Sequence, residues 1–141
     1  MAKDLQIVGF RIGRETFGLP ISLVHEIVRP PEITNVPHAP EYVEGVMNLR
    51  GRVLAVVDLA ALVGLPVQPL REGGGQVLIL DQGKRALGLL IGGVQGVEEV
   101  EPPAGDAKDL VCGVVATAAG AVTLLSPEPL FRAALALFGE R

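Results

Sequence analysis

The sequence is poor in the residues that usually build reactive or metal-binding sites. Its 141 residues include one cysteine, two histidines and no tryptophan. A lone thiol, Cys112, cannot form an internal disulfide, so nothing points to an oxidising compartment. His25 and His38 are too far apart, and too short of cysteine partners, to have the ligand spacing of a zinc site. We expect no metal and no cofactor.

Basic clusters and long apolar runs are missing as well. The formal net charge is −4 and the twelve lysines and arginines are scattered, which argues against a nucleic-acid partner. There is no polybasic membrane segment, and "MAKDLQIVGF" lacks the apolar stretch of a signal peptide. The longest low-charge run is interrupted by glycines and is not typical of a membrane span. These features predict a cytoplasmic protein without direct membrane insertion.

Catalytic arrangements are also missing from the pattern. Ser22 precedes His25 and Glu26, but on a strand residues 22 and 25 would face opposite sides. No G-x-S-x-G motif is present, and the glycines of "REGGGQ" lack the Lys-Ser/Thr of a phosphate loop. We therefore expect no enzyme activity, and the apolar composition is typical of a binding module.

The residues that are plentiful predict an all-β protein. Hydrophobic residues make up 49% of the chain, with only four Phe and one Tyr, so the core must consist mainly of Val, Leu, Ile and Ala. Eighteen glycines and eleven prolines predict many turns between short strands. The stretches "VLAVV", "VLIL" and "LGLLIGGV" are apolar on both faces, as expected where a barrel strand also packs on a second barrel.

The chain contains an internal duplication. "FRIGRETFGLPISLVHEI", from Phe10, aligns with "LDQGKRALGLLIGGVQGV", from Leu80, and both have the pattern of a β-hairpin. "YVEGVMNLRGRVLAVV", from Tyr42, aligns with "LVCGVVATAAGAVTLL", from Leu110. Each half therefore has the order hairpin, strand, hairpin, short helix, with Asp58 and Ser126 as the helix N-caps.

The duplication predicts one domain, 1–141, with two five-stranded SH3-like β-barrels around a shared apolar core. The first barrel would come mainly from residues 10–63 and the second mainly from 76–125, joined by a surface loop near 64–76. A C-terminal helix over 127–138 would follow. Its apolar face would carry Leu130, Phe131, Ala134, Leu135 and Phe138.

One turn carries a charge that the fold does not require. The first half has "NLRG" at 48–51, whereas the equivalent turn of the second half is the uncharged "ATAAG" at 116–120. Arg50 is therefore either a solvated turn residue or a side chain that pairs with a carboxylate and fixes the orientation of a partner.

The stretch from Phe17 to Leu59 resembles the CheW family of chemotaxis coupling proteins. The shared motifs are an aromatic-Gly-Leu-Pro-Ile strand, the Val-x-Glu-Ile step, the passage "VPHAPEYVEGVMNLRG" and "VVDL". The resemblance covers nearly the whole chain. It implies a non-enzymatic adaptor that links the cytoplasmic tip of chemoreceptors to the regulatory domain of the histidine kinase CheA, at receptor arrays on the inner face of the membrane.

The resemblance also implies protein-binding residues. They lie at the Val-x-Glu-Ile step, in the "VEGV" and "NLRG" motifs and at the matching step of the second half: Val24, Glu26, Ile27, Gly45, Asn48, Arg50, Gly93 and Val94. For Val24, Ile27 and Val94, burial in the core is an equally good interpretation. Two alternatives for the function stay open: a small-molecule-binding regulatory β-barrel module, and a coupling protein of a paralogous surface-motility array.

Overall fold

A computed structural model describes residues 5–30, 32–39, 42–65, 75–83, 85–103, 109–118 and 120–135. These residues form ten strands and three short helical segments. The strands are β1 (Leu5–Ile12), β2 (Glu15–Pro20), β3 (Val24–Val28), β4 (Val43–Leu49), β5 (Arg52–Asp58), β6 (Gln76–Asp81), β7 (Ala86–Ile91), β8 (Gly93–Val100), β9 (Val111–Thr117) and β10 (Gly120–Leu125). The helices are a 3-10 turn at Ile21–Leu23, α1 (Leu59–Leu62) and α2 (Pro127–Leu135).

The strands form two five-stranded sheets, which confirms the predicted all-β class. Sheet I has the order β8-β1-β2-β10-β9, and sheet II has the order β3-β6-β7-β5-β4. Most neighbours are antiparallel, but β2 pairs with β10 and β5 pairs with β7 in parallel. The two orders become identical when each strand of one half is replaced by its counterpart in the other half. The duplication seen in the sequence is therefore also a duplication of topology.

The division of the chain between the sheets differs from the predicted one. The boundaries 10–63 and 76–125 would give each half its own sheet, but each sheet takes its first hairpin from one half and its other three strands from the other. The physical reason lies in the parallel pairs: β2 is held against β10, and β7 against β5. Since the two halves carry equivalent hairpins, the sequence pattern fits either arrangement.

The apolar core has three parts. A shared cluster lies between the sheets and contains Phe10 and Phe17, whose rings stack with centroids 6.3 Å apart, together with Leu89. Sheet II has its own cluster around Val56 and Ile79, and sheet I has a smaller one with residues Ile7, Val100, Val122 and Leu124. Within β5, β6 and β7, successive residues alternate between the shared cluster and the cluster of sheet II. The prediction of strands buried on both faces is confirmed.

Each half ends in a helix that packs on the shared core. Asp58 caps α1, because its Oδ1 accepts a hydrogen bond from the Ala60 N–H at 3.0 Å. In α2, Leu130, Phe131 and Ala134 are buried as predicted. The Leu135 side chain, Phe138 and most of the predicted 64–76 loop lie outside the described residues. Among the residues described, no helix is long and apolar enough to cross a membrane.

Candidate interaction site at the corner of sheet II

Arg50 occupies a backbone position that does not favour arginine. It and Gly51 form the two-residue turn between β4 and β5, flanked by the pair Leu49 and Arg52. Their φ angles are 50° and 88°, which match a type I′ turn, and Asn48 Oδ1 accepts a hydrogen bond from the Gly51 N–H at 2.8 Å. Such a turn prefers Asn or Gly at its first position. Turn geometry alone therefore does not explain an arginine here.

The Arg50 side chain forms a two-point ion pair with Glu26. Nη1 donates to Glu26 Oε1 at 3.3 Å, and Nη2 donates to Oε2. This hydrogen bonding by Arg50 is the main cause that lowers the pKa of Glu26, and the same contact raises the pKa of Arg50. His25 adds Nε2 at 3.5 Å from Glu26 Oε2. The Arg50 side chain remains 66% exposed, so the paired guanidinium is presented to solvent.

A β-bulge in β3 aims Glu26 towards Arg50. Val24 pairs with Leu80 and Glu26 with the next residue, Ile79, so His25 is an extra residue in the strand. As a result Val24 packs on the shared cluster, whereas Val28 packs on the cluster of sheet II. Ile27 pairs with Leu78, a residue of the shared cluster, whereas Glu26 pairs with Ile79 of the sheet II cluster, so the two side chains are on opposite faces of the strand. Ile27 is 41% exposed, and an exposed isoleucine therefore follows Glu26 directly in the chain.

Ser22 and His25 do not form a catalytic pair in this geometry. Ser22 lies in the 3-10 turn and not on a strand, so the expected alternation of faces does not apply to it. Ser22 and His25 are both exposed, and His25 Nε2 lies 3.5 Å from the carboxylate of Glu26.

Arg52 is anchored in the same region by a second acidic residue. Its Nη1 donates to Asp81 Oδ2 at 3.0 Å, and its Nη2 donates to the Gly83 carbonyl at 3.1 Å. The pKa of Asp81 is lowered, first by the hydrogen bond from the Gly83 N–H and then by Arg52. The partners of both arginines are distant in sequence, and sequence reasoning did not find them.

Gly45 has a packing role. It is buried, and a side-chain Cβ built there would lie 2.1 Å from the Thr34 carbonyl oxygen. Thr34 approaches so closely because it pairs with the edge strand β4, through hydrogen bonds of 2.8 and 2.9 Å with Val46. At the equivalent Gly113 an added Cβ would lie 2.7 Å from a side-chain carbon, Pro103 Cβ. Gly45 therefore allows Thr34 to pack closely against β4, and it is buried beneath the surface of the site.

Gly93 and Val94 lie on the other sheet. Both belong to β8 of sheet I, and the Val94 N–H donates to Gln76 Oε1 at 3.0 Å. Val94 is half-buried against the shared cluster, as is its counterpart Val24. The predicted residues thus fall into two groups. Glu26, Asn48 and Arg50, with Ile27 nearby on β3, belong to the charged corner, whereas Val24 and Val94 pack where the sheets meet.

An exposed valine beside the corner was missed by the sequence analysis. Val53, opposite Asn48 in the β4–β5 hairpin, is 66% exposed. With Thr34, Val46 and Asn48 it lines a shallow groove of about 290 Å³. Ala55 and Val57, on the same face of β5, are buried. The apolar pattern of the strand alone therefore does not show that Val53 lies outside the core.

Comparison with known proteins identifies the family. A family profile described as the CheW-like domain matches residues 6–135. The chain belongs to the CheW-like domain family. CheW-like relatives include a probable chemotaxis protein CheW of Rhizobium etli, 34% identical over 91% of this chain and 88% of the relative. The chemotaxis protein CheW of Treponema pallidum is 30% identical over 92% of this chain and 83% of the relative.

A solved CheW structure has the same architecture. The crystal structure of the scaffolding protein TtCheW from Thermoanaerobacter tengcongensis superposes with a TM-score of 0.76 at 28% sequence identity. The similarity covers 87% of this chain and 89% of the other. The arrangement of two five-stranded sheets is therefore a property that this chain shares with another CheW-like protein.

Proposed function

We propose that this chain is a non-enzymatic adaptor that couples chemoreceptors to the histidine kinase CheA in chemotaxis. The observation that carries the proposal is the exposed Arg50–Glu26 pair. The arginine stands at a turn position that favours other residues, and the second half of the chain builds the equivalent turn without any charge. A role of Arg50 in binding a partner protein would account for an arginine at a turn position that favours Asn or Gly.

The surroundings of the pair suit a protein partner. Ile27 and Val53 are exposed apolar side chains of the same sheet, and their burial would supply affinity. The charged groups of Arg50 and Glu26 would set the orientation and the rate of association. Within the described part of the chain, no group of three or more His, Cys, Asp or Glu side chains could hold a metal ion. Binding accounts for this surface without any chemical step.

We assign the two groups of residues to two partners. The charged corner would contact the regulatory domain of CheA. The boundary between the sheets, with Val24 and Val94 half-buried and Gly93 beside them, would contact the helical hairpin at the cytoplasmic tip of a chemoreceptor. In this proposal the protein works in the cytoplasm, at receptor arrays on the inner face of the membrane.

Titration with purified partners tests the proposal. The full chain is titrated against the isolated CheA regulatory domain, and separately against a chemoreceptor cytoplasmic fragment, by calorimetry. We expect saturable binding to both, and a ternary complex in size-exclusion chromatography. Absence of binding to both partners at concentrations up to about 1 mM, where binding free energies fall to about 4 kcal/mol, would contradict the adaptor role.

A further inference from the structure

Helix α2 begins on sheet I and is attached to sheet II. It follows β10 directly, and the Ser126 N–H at its start donates to the Leu110 carbonyl, next to β9, at 2.8 Å. Further along the helix, a side chain of sheet II reaches its backbone: the hydroxyl of Tyr42, next to β4, donates to the Ala133 carbonyl at 3.1 Å. The helix therefore connects one sheet to the other.

Arg85, just before β7 of sheet II, contacts α2 in two ways. Its Nη1 and Nη2 donate to the two carboxylate oxygens of Glu128 at 3.2 and 2.6 Å. Its guanidinium carbon lies 5.0 Å from the centroid of the Phe131 ring, which is within the range of a cation–π interaction. Gln82 orients the guanidinium by accepting a further hydrogen bond from Nη2 at 2.5 Å. The Arg85 side chain is only 26% exposed, in contrast to that of Arg50.

The duplication shows that these contacts are not part of the pattern that the two halves share. In the aligned sequences Glu15 has the place of Arg85, and Leu110 has the place of Tyr42. Neither an ionised glutamate nor a leucine side chain can donate a hydrogen bond. The helix that would use these counterparts, α1, has only four residues, whereas α2 has nine. The attachment of a helix to the opposite sheet is therefore particular to α2.

The start of α2 contributes little to the stability of the helix. The Ser126 hydroxyl is buried and makes no hydrogen bond, and the prolines at 127 and 129 have no N–H to donate to it. A helix of nine residues is also too short to be stable in isolation. The formation of α2 therefore depends on its packing against the core and on its contacts with Arg85 and Tyr42.

The inner face of α2 is linked to the boundary between the sheets through the shared cluster. Leu130, Phe131 and Ala134 are fully buried in that cluster. Val24 and Val94, half-buried where the sheets meet, pack against the same cluster. Because a close-packed core transmits a shift of one of its faces to the others, the position of α2 affects the shape of the surface around Val24 and Val94.

We propose that α2 holds the two sheets in a fixed orientation, and that Arg85 and Tyr42 are the positioning residues that attach it to sheet II. The inference rests on the proposed adaptor function. In the attached state the boundary between the sheets has the shape that the chemoreceptor hairpin binds. The charged corner of Arg50 and Glu26 is formed within sheet II alone, so binding of the CheA regulatory domain there does not depend on α2.

A double variant, Arg85→Gln with Tyr42→Phe, tests the proposal. It removes the guanidinium and one hydroxyl, and it keeps the aromatic ring that packs against the shared cluster. Calorimetry should show binding to the chemoreceptor fragment weakened about tenfold and binding to the CheA regulatory domain unchanged within about twofold. Hydrogen exchange of residues 130–135 should become at least about tenfold faster, while the strands stay protected. A merely structural loss would weaken both partners by the same factor.

A charge exchange and a control variant complete the test. Arg85→Glu and Glu128→Arg should each weaken binding to the receptor fragment. The two together should restore it to within about threefold of the wild type, because the ion pair forms again with its charges reversed. Arg14→Gln is the matched control, since it removes one positive charge from an exposed position in the equivalent β1–β2 turn, and it should bind as the wild type does. If the double variant fails to fold, Tyr42→Phe alone and the charge exchange decide the question.

The outcomes separate this inference from the proposed function. Receptor binding that is unchanged in the folded double variant would overturn the positioning role and leave the adaptor role standing. Equal weakening of both partners, or a charge exchange that restores nothing, would also overturn it. A wild type that binds neither partner would overturn the adaptor role and this inference together.

Discussion

Arg50 and Glu26 connect the two edge strands of sheet II. In the strand order β3-β6-β7-β5-β4, Glu26 belongs to the edge strand β3. Arg50 belongs to the turn that follows the other edge strand, β4, and leads into β5. Their contact therefore means that the sheet curls until its edges meet at one corner. A surface ion pair of this kind adds little stability, so its main consequence is that the guanidinium is held in a defined orientation.

Reversing the charge of Arg50 should affect binding and not folding. We expect Arg50→Glu to leave the Tm within about 2 °C of the wild type, because the side chain is mostly exposed. Binding to the CheA regulatory domain should weaken more than tenfold, as measured by calorimetry. The control is Arg14→Glu, which reverses an exposed arginine in the β1–β2 turn. Equal loss of binding in the control would mean that net charge, and not the corner, governs the interaction.

Arg50→Asn should separate stability from function. Asn followed by Gly is the preferred sequence of a type I′ turn, so the turn itself should become more favourable. We expect the Tm to stay equal or to rise by about 1–3 °C, while partner binding weakens as it does for Arg50→Glu. Thermal unfolding and calorimetry on one preparation measure both. A lower Tm would show that the ion pair outweighs the turn preference.

The pKa of Glu26 predicts a pH dependence at the corner. Because that pKa is lowered in the folded protein, the contribution of the pair is complete above the pKa of the unfolded chain and is lost as the pH falls through the lower folded value. Binding that uses the corner should therefore weaken in acid. Titrations between about pH 3 and 7, with Glu26→Gln as the comparison, measure the effect. An identical acid profile in both proteins would exclude Glu26 as the group responsible.

The close approach at Gly45 should not tolerate a side chain. Gly45→Ala places a methyl group against the Thr34 carbonyl, and its φ of 148° is unfavourable for alanine. We expect a loss of more than about 2 kcal/mol in the free energy of unfolding, measured in urea. Gly51→Ala is a useful comparison, since its φ is also positive but nothing lies within 4 Å of the added atom. Similar losses for the two would mean that backbone strain, and not the Thr34 contact, is decisive.

The exchange of hairpins predicts that neither half folds alone. Fragment 1–65 contains the β1–β2 hairpin and the strands β3, β4 and β5, which do not pair with that hairpin in either sheet. Circular dichroism should show no cooperative unfolding for fragment 1–65 or for fragment 75–141. An equimolar mixture should recover a cooperative transition, because both sheets and the shared cluster can then form. Cooperative unfolding of one fragment by itself would contradict the observed topology.

Much of the fold follows from local patterns. Alternation, turn residues and the Asp58 cap gave the order of elements, and most residues of the stretches apolar on both faces are buried, although Val53 is exposed. The predicted cap Ser126 is buried, but its hydroxyl makes no hydrogen bond. The duplication gave the equivalence of the halves. Of the site, the sequence singled out Arg50 because its counterpart turn has no charge, and the motif resemblance singled out Glu26.

The rest was decided by tertiary structure. The two hairpins are so alike that their patterns do not say which half each will join, and only long-range pairing places β2 beside β10 and β7 beside β5. The bulge at His25 changes which face Glu26 and Ile27 occupy, and strict alternation does not reveal it. Local sequence determines which side of a strand is apolar. The residues that pack against that side are set by pairings between strands that are far apart in the sequence.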